Sequence, residues 1–264
     1  MSESGPEAHS TDYPRAALVT GAARRIGRAI ALDLAAHGWA VAVHHNRSTE
    51  AAEELVRQID ADGGRAVALA ADLARETESA GLVARATEAL GPLGCLVNSA
   101  SRFERDEIGG VTRESWDSHL EPNLRAPLIL AQDFAKALPP DRGGVIINLL
   151  DERVWNLTPH FISYTVSKSA LWTLTRTLAL ALAPRIRVNG IGPGPTLPSA
   201  RQSAEQFARQ SASLPLGRGT NPEEICQAIQ FLLAAGSVTG QMIALDGGQH
   251  LGWAQADKRS DPKE

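Results

Sequence analysis

Residues 16–38 read AALVTGAARRIGRAIALDLAAHG. The first part is a short apolar run that suits a strand. The second part spaces apolar side chains as a helix does and stops at Gly38. Between them, Gly21 and Gly27 sit at the strand-to-helix turn. Glycines there let the backbone approach a pyrophosphate, whose charge the helix N-terminus stabilises. Two glycines also suit a plain tight turn, so the rest of the chain must decide.

The alternation continues. Apolar runs at 40–46, 65–73, 95–101, 144–151, 187–194 and 241–248 read as further strands. Helical patterns lie between them: 49–62, a segment running to about Leu90, 113–137 with a break at Pro122, 163–183 closed by Pro184, and 222–235. Strands that are apolar throughout, alternating with amphipathic helices, predict a single-domain α/β fold. It is a Rossmann-type doubly wound parallel sheet of about seven strands, with helices on both faces. Ligands of such sheets bind beyond the carboxyl ends of the strands, so residues just past each strand are the candidates.

Bulk properties narrow the class. The 264 residues are 43% hydrophobic and 21% charged, with a formal net charge of -4. That balance suits a globular chain and carries no basic excess for nucleic acid. No window of roughly 18 apolar residues suggests a membrane span. Two cysteines, Cys95 and Cys226, do not make a secreted disulfide framework. The opening MSESGPEAHSTDYPR has no basic segment followed by an apolar run, so it does not read as a signal peptide. The expectation is a cytoplasmic protein with one catalytic domain over 15–252, between short disordered tails at 1–14 and 253–264.

The strand ends supply the cofactor reading. A site for the non-phosphorylated dinucleotide wants an acid at the end of the second strand. Here the run is His44-His45-Asn46-Arg47-Ser48. Arg47 can pair with a 2′-phosphate, Ser48 can add a bond, and Arg24 is a second cation, so NADPH is the expected cofactor. Asp72, with Leu73 beside it, can either make a turn or accept from the adenine amino group. Asn98 to Ser101 can flank the ribose and nicotinamide. Pro193 and Gly194 are expected to cover the nicotinamide, and 194–215 to form a substrate loop with Thr196 and Leu197 at its start. No spacing of metal ligands is present.

Tyr164 and Lys168 are four residues apart and share one helix face. A nearby ammonium is expected to lower a phenol and fit it for general-acid work. Asp151 lies thirteen residues before Tyr164. As a protonated acid it could donate to a substrate; as a carboxylate it could accept from ring N–H groups. A turn or helix-cap role for Asp151, with Glu152-Arg153 as a surface pair, is the plainer alternative. Trp155, His160 and Trp172 read as packing residues, and Cys95 as inert.

The segments TGAARRIG, AADL, VNSAS, YTVSK, RVNGIGPG and LDGG, with Asn123, resemble the short-chain dehydrogenase/reductase family over about residues 15–250. The resemblance implies that Tyr164 is the proton donor and Lys168 a ribose ligand that tunes it. It implies that Asn123 supports a proton-relay water, and that the enzyme is a homotetramer built on the 113–137 and 163–183 helices. Two departures resemble one branch, the pteridine reductases and bacterial dihydromonapterin reductases. Arg25 stands where the family has glycine, and Asp151 where it has serine. In that branch the residue matching Arg25 reaches the cofactor phosphates and the pterin, with Gly21, Ile26, Gly27 and Ala100 in the same cofactor cradle. Phe103 is implied to stack on the pterin, Ser101 to contact it, and Asp151 to serve proton delivery. The expected reaction is NADPH-dependent reduction of a pteridine C=N bond, of the dihydromonapterin, dihydrobiopterin or dihydrofolate type. A 3-oxoacyl-thioester or small-ketone reductase, which would not need Asp151, is the alternative. A non-catalytic dinucleotide-binding protein is a third reading, which the Asn123, Tyr164 and Lys168 set opposes.

Overall fold

The computed structural model describes residues 13–199 and 202–252. The expected tail at 253–264, nearly all of that at 1–14, and residues 200–201 of the substrate loop lie outside the described residues.

The strands are β1 (Ala16–Val19), β2 (Ala40–His45), β3 (Ala66–Ala70), β4 (Cys95–Asn98), β5 (Gly144–Leu149), β6 (Ile186–Pro193) and β7 (Met242–Leu245). They form one seven-stranded sheet in the order β3-β2-β1-β4-β5-β6-β7, and every neighbouring pair is parallel. Alternation along β1 sets the layers. Ala17 and Val19 face one core, Ala16 and Leu18 the other.

On the first face pack α1 (Arg25–Ala36), α2 (Thr49–Ala61) and α9 (Pro222–Ala234), through Ile30, Leu34, Leu55, Ile59, Ile225 and Ile229. On the second pack α4 (Leu82–Leu90), α6 (Ala126–Ala137) and α7 (Ile162–Leu182), through Leu82, Leu130, Phe134 and Leu178. The remaining helices are α3 (Glu76–Ser79), α5 (Arg113–Leu120) and α8 (Ala204–Ala212). The strand order reverses between β1 and β4, which opens a crevice at their carboxyl ends. No helix among the described residues is long and apolar enough to cross a membrane.

The strands end short of the expected bounds, β3 at Ala70 and β7 at Leu245 among them, and for two of them a physical reason is visible. β1 and β4 stop at Val19 and Asn98. Just beyond, the Thr20 hydroxyl accepts from the amides of Ser99 and Ala100 at 3.0 Å each, which turns the β4 exit under the glycine turn.

The expected break at Pro122 is a π-helical turn, Glu121–Arg125, between α5 and α6. Proline cannot donate its missing N–H, and the wider turn brings Asn123 fully inside. The start of α7 is also unusual. Phe161 occupies its N-cap at φ 59° and offers no capping side chain. Asp106, from a distant segment, accepts instead from the Ser163 amide at 3.2 Å and from the Ser163 hydroxyl. That borrowed cap fixes where Tyr164, one residue further on, enters the crevice.

Candidate active site

The turn after β1 is the tightest point of the crevice. Gly21 has φ +65°, and a Cβ there would lie 2.9 Å from the Ala100 Cα. A Cβ on Gly27 would strike the Gly21 carbonyl oxygen. Both positions therefore need glycine. His44 locks this turn from β2. Its Nδ1 accepts from the Gly21 amide at 3.0 Å, so Nε2 carries the proton and donates to the Ala71 carbonyl, also at 3.0 Å. Burial pushes His44 down to about 4, against the opposing effect of the Ala71 bond. Sequence reading left His44 without a role. A polar residue inside an apolar strand was the available signal.

The first turn of α1 carries no acid and no side-chain cap, and Arg24 sits at its N-cap position. Its amides therefore suit an anion. Arg25 follows at φ 54°, a conformation that costs a side-chain-bearing residue about 1–2 kcal/mol. Its guanidinium donates to the carbonyls of Pro198 at 3.0 Å and Leu197 at 3.2 Å, tying the glycine turn to the substrate-loop segment.

Arg47 is exposed at the exit of β2, beside Ser48 at the N-cap of α2. Asp72 does make a turn. Its Oδ1 accepts from the Ala74 amide at 3.1 Å and from Asn46 at 3.2 Å. Leu73 is buried behind it. Asn98 donates to Asn148 at 2.8 Å, and Asn148 to Thr175 at 2.9 Å, which registers β4 and β5 against α7. The donor-rich helix end, the glycine cradle and the cations fit a phosphorylated dinucleotide.

Beside this cradle opens a pocket of about 480 Å³. Arg25, Ile26, Ser101, Phe103, Asp151 and Tyr164 line it. Lys168, Pro193, Gly194, Thr196 and Leu197 complete the expected set. Gly21, Arg24, Gly27, Arg47, Ser48, Asp72, Leu73, Asn98, Ala100 and Asn123 are not in its wall. Asn123 holds the segment above it. Its side chain accepts from the Arg102 amide at 2.8 Å, and donates to the Arg102 carbonyl and the Ser167 hydroxyl at 3.0 Å each. Phe103 stacks face to face on Phe161, with centroids 4.6 Å apart and planes 6° from parallel. Tyr164 meets the edge of Phe103 at 4.7 Å.

Tyr164 donates to Asp151 Oδ2 at 2.6 Å, so the acid and the phenol form one unit. Lys168 is 2% exposed and donates to the Leu149 carbonyl at 2.7 Å. The expected lowering of the phenol is not what this arrangement does. Burial pushes Tyr164 well above its ordinary value, and the Asp151 charge and hydrogen bond push it further. Burial lowers Lys168 to about 8, partly offset by Asp151.

The plainer reading of Glu152-Arg153 as a surface pair is also overturned. Glu152 is 2% exposed, and Arg153 donates to both Asp151 oxygens at 3.2 Å. Arg153 and Phe161 in the pocket wall, and Asp106 at the start of α7, are, like His44, among the residues that sequence reading missed. Trp172 packs as expected and meets Trp155 edge to face at 6.4 Å, but Trp155 itself is 44% exposed. Burial raises Cys95 to about 12, which suits an inert thiol.

The fold and this site define an oxidoreductase of the short-chain dehydrogenase/reductase family, and the chain belongs to it. The family model described as enoyl-(acyl carrier protein) reductase matches residues 21–250. Among solved structures, the FolM alternative dihydrofolate reductase 1 of Brucella canis, complexed with NADP, is similar at 51% identity and a TM-score of 0.89. That match covers 92% of this chain and 96% of that one. An uncharacterized oxidoreductase of Methylorubrum extorquens is 36% identical over 89% of this chain and 97% of its own length. A 3-oxoacyl-[acyl-carrier-protein] reductase of Synechocystis is 33% identical over 88% of this chain and 95% of its own.

Proposed function

We propose that the protein is an NADPH-dependent reductase acting on a C=N bond of a pteridine, of the dihydromonapterin, dihydrobiopterin or dihydrofolate type. The observation that carries this reading is Asp151 bonded to Tyr164 at 2.6 Å in the pocket wall, where a ketone reductase would hold a neutral hydroxyl. The Brucella structure, similar along nearly its whole length, is named a dihydrofolate reductase and holds NADP.

NADPH supplies the hydride when bound. Arg24, Arg25, Arg47, Ser48 and the first amides of α1 hold its phosphates, within the cradle of Gly21, Ile26 and Gly27. Asp72 and Leu73 flank the adenine. Asn98, Ala100 and Lys168 take the nicotinamide ribose, while Pro193 and Gly194 cover the ring. Ser101, Phe103, Thr196 and Leu197 hold the pterin. A C=N reduction leaves its charge on nitrogen, and the Tyr164–Asp151 pair places an exchangeable proton for that atom. Asn123 positions the strip that bears Ser101 and Phe103. We place the enzyme in the cytoplasm as a homotetramer, for which Leu180 on α7, 83% exposed, would offer an apolar surface.

The Synechocystis relative favours a second reading, reduction of a 3-oxoacyl thioester. NADPH oxidation with dihydrobiopterin, dihydromonapterin and an acetoacetyl thioester, in wild type and Asp151→Ser, separates the two. Pterin turnover that collapses in the variant supports the pteridine reading. Thioester turnover that survives in the variant, with no pterin reduction, overturns it.

A further inference from the structure

Arg153 stands in an unusual place. Its side chain is 18% exposed, and that of Asp151 is 14% exposed. One guanidinium nitrogen lies 3.2 Å from both Asp151 oxygens, and the Arg153 amide donates to Oδ1 at 2.9 Å. The other Asp151 oxygen receives the Tyr164 hydroxyl at 2.6 Å. The same guanidinium carbon lies 5.5 Å from the centroid of Phe103 and 5.5 Å from that of Phe161. Its Nε is buried without a hydrogen-bond partner among the described residues, an unused donor in the pocket wall. A cation so deep in a pocket loses hydration, which the Asp151 carboxylate, nearby Glu152 and the aromatic contacts offset.

We propose that Arg153 is the positioning residue that joins the two halves of the site: it aims Asp151 at Tyr164, and it braces the Phe103–Phe161 pair against which the substrate ring lies. The second half rests on the pteridine reading; the first does not. The two duties use different properties of the side chain. Aiming the carboxylate needs a positive charge with a donor. Bracing two rings needs the flat, weakly hydrated guanidinium, which an ammonium does not replace.

Steady-state kinetics on dihydrobiopterin, for wild type, Arg153→Lys and Arg153→Gln, test the inference. NADPH affinity serves as the check on folding, because Arg153 makes no hydrogen bond to the glycine turn among the described residues. In Arg153→Gln, kcat is expected to fall about a hundredfold as the carboxylate loses its aim. KM is expected to rise about tenfold as the ring brace is lost. In Arg153→Lys, kcat is expected to return to within about threefold of wild type while KM stays raised, since charge is restored and planarity is not.

Equal kcat losses in Lys and Gln, at unchanged NADPH affinity, would defeat the aiming role. A wild-type KM in Gln would defeat the bracing role. If Arg153→Gln fails to bind NADPH, Arg153→Lys decides alone: near-normal kcat with raised KM supports the inference, and any other pattern overturns it. A wild-type protein active only on the thioester would sink the pteridine reading by itself. The aiming role would then be read from rescue of thioester kcat by lysine.

Discussion

His44 makes acid sensitivity of the glycine turn a quantitative expectation. The ring is 2% exposed and can accept from the Gly21 amide only while Nδ1 is unprotonated. Its folded value of about 4 lies below the ordinary 6.5. Stability from this group is therefore complete above 6.5 and lost as pH falls towards 4. The whole gap corresponds to about 3 kcal/mol, of which about 2 kcal/mol is gone by about pH 5. His44→Asn keeps an acceptor near the position of Nδ1 but does not titrate. Urea unfolding of both proteins without cofactor, at about pH 7 and about pH 5, reads the difference. The variant should be the less stable near neutrality, having lost the Ala71 bond, yet its acid loss should be smaller by about 2 kcal/mol. NADPH affinity should follow the same trend, because protonation removes the acceptor that shapes the glycine turn. Equal acid losses in the two proteins would refute the reasoning.

Glu152 has the opposite sign. Burial, aided by the Asp151 charge, raises it to about 8, so its contribution is full below 4.5 and lost as pH rises through about 8. Thermal unfolding should show wild type losing a few kcal/mol between about pH 6 and about pH 9, with Glu152→Gln losing less; a difference that does not vary with pH counts against it. Arg25→Gly should relax the backbone at φ 54° while deleting two bonds to the Leu197 and Pro198 carbonyls. The net change should stay within about 1–2 kcal/mol, since strain relief of about 1 kcal/mol opposes two exposed hydrogen bonds. Limited proteolysis within 194–215 should quicken and pterin KM should rise. A loss well beyond 2 kcal/mol would mean that Arg25 supports the core in some other way.

How much was legible in the chain depended on the range of the interaction. Patterns of apolar residues and glycines are local and repeat along the backbone, so the seven-stranded parallel sheet, the glycine turn and the shared helix face of Tyr164 and Lys168 could be read directly. The break at Pro122 was legible because proline lacks a donor wherever it stands. Electrostatics and burial were not legible, because they are sums over groups far apart in sequence. Tyr164 lies next to Lys168 on its helix, yet desolvation and Asp151 move it upward, against the expectation from the neighbour alone. Arg153 looked like a surface charge until folding placed it against Asp151, Phe103 and Phe161. His44 reaches Gly21 across 23 residues, and Asp106 caps a helix 57 residues away. The sequence by itself determined the architecture and the chemistry on offer, since both follow from local periodicity and residue type. Tertiary structure alone decided which charges are dry, which are paired and where the aromatic rings meet, because those depend on contacts that exist only once the chain has closed on itself.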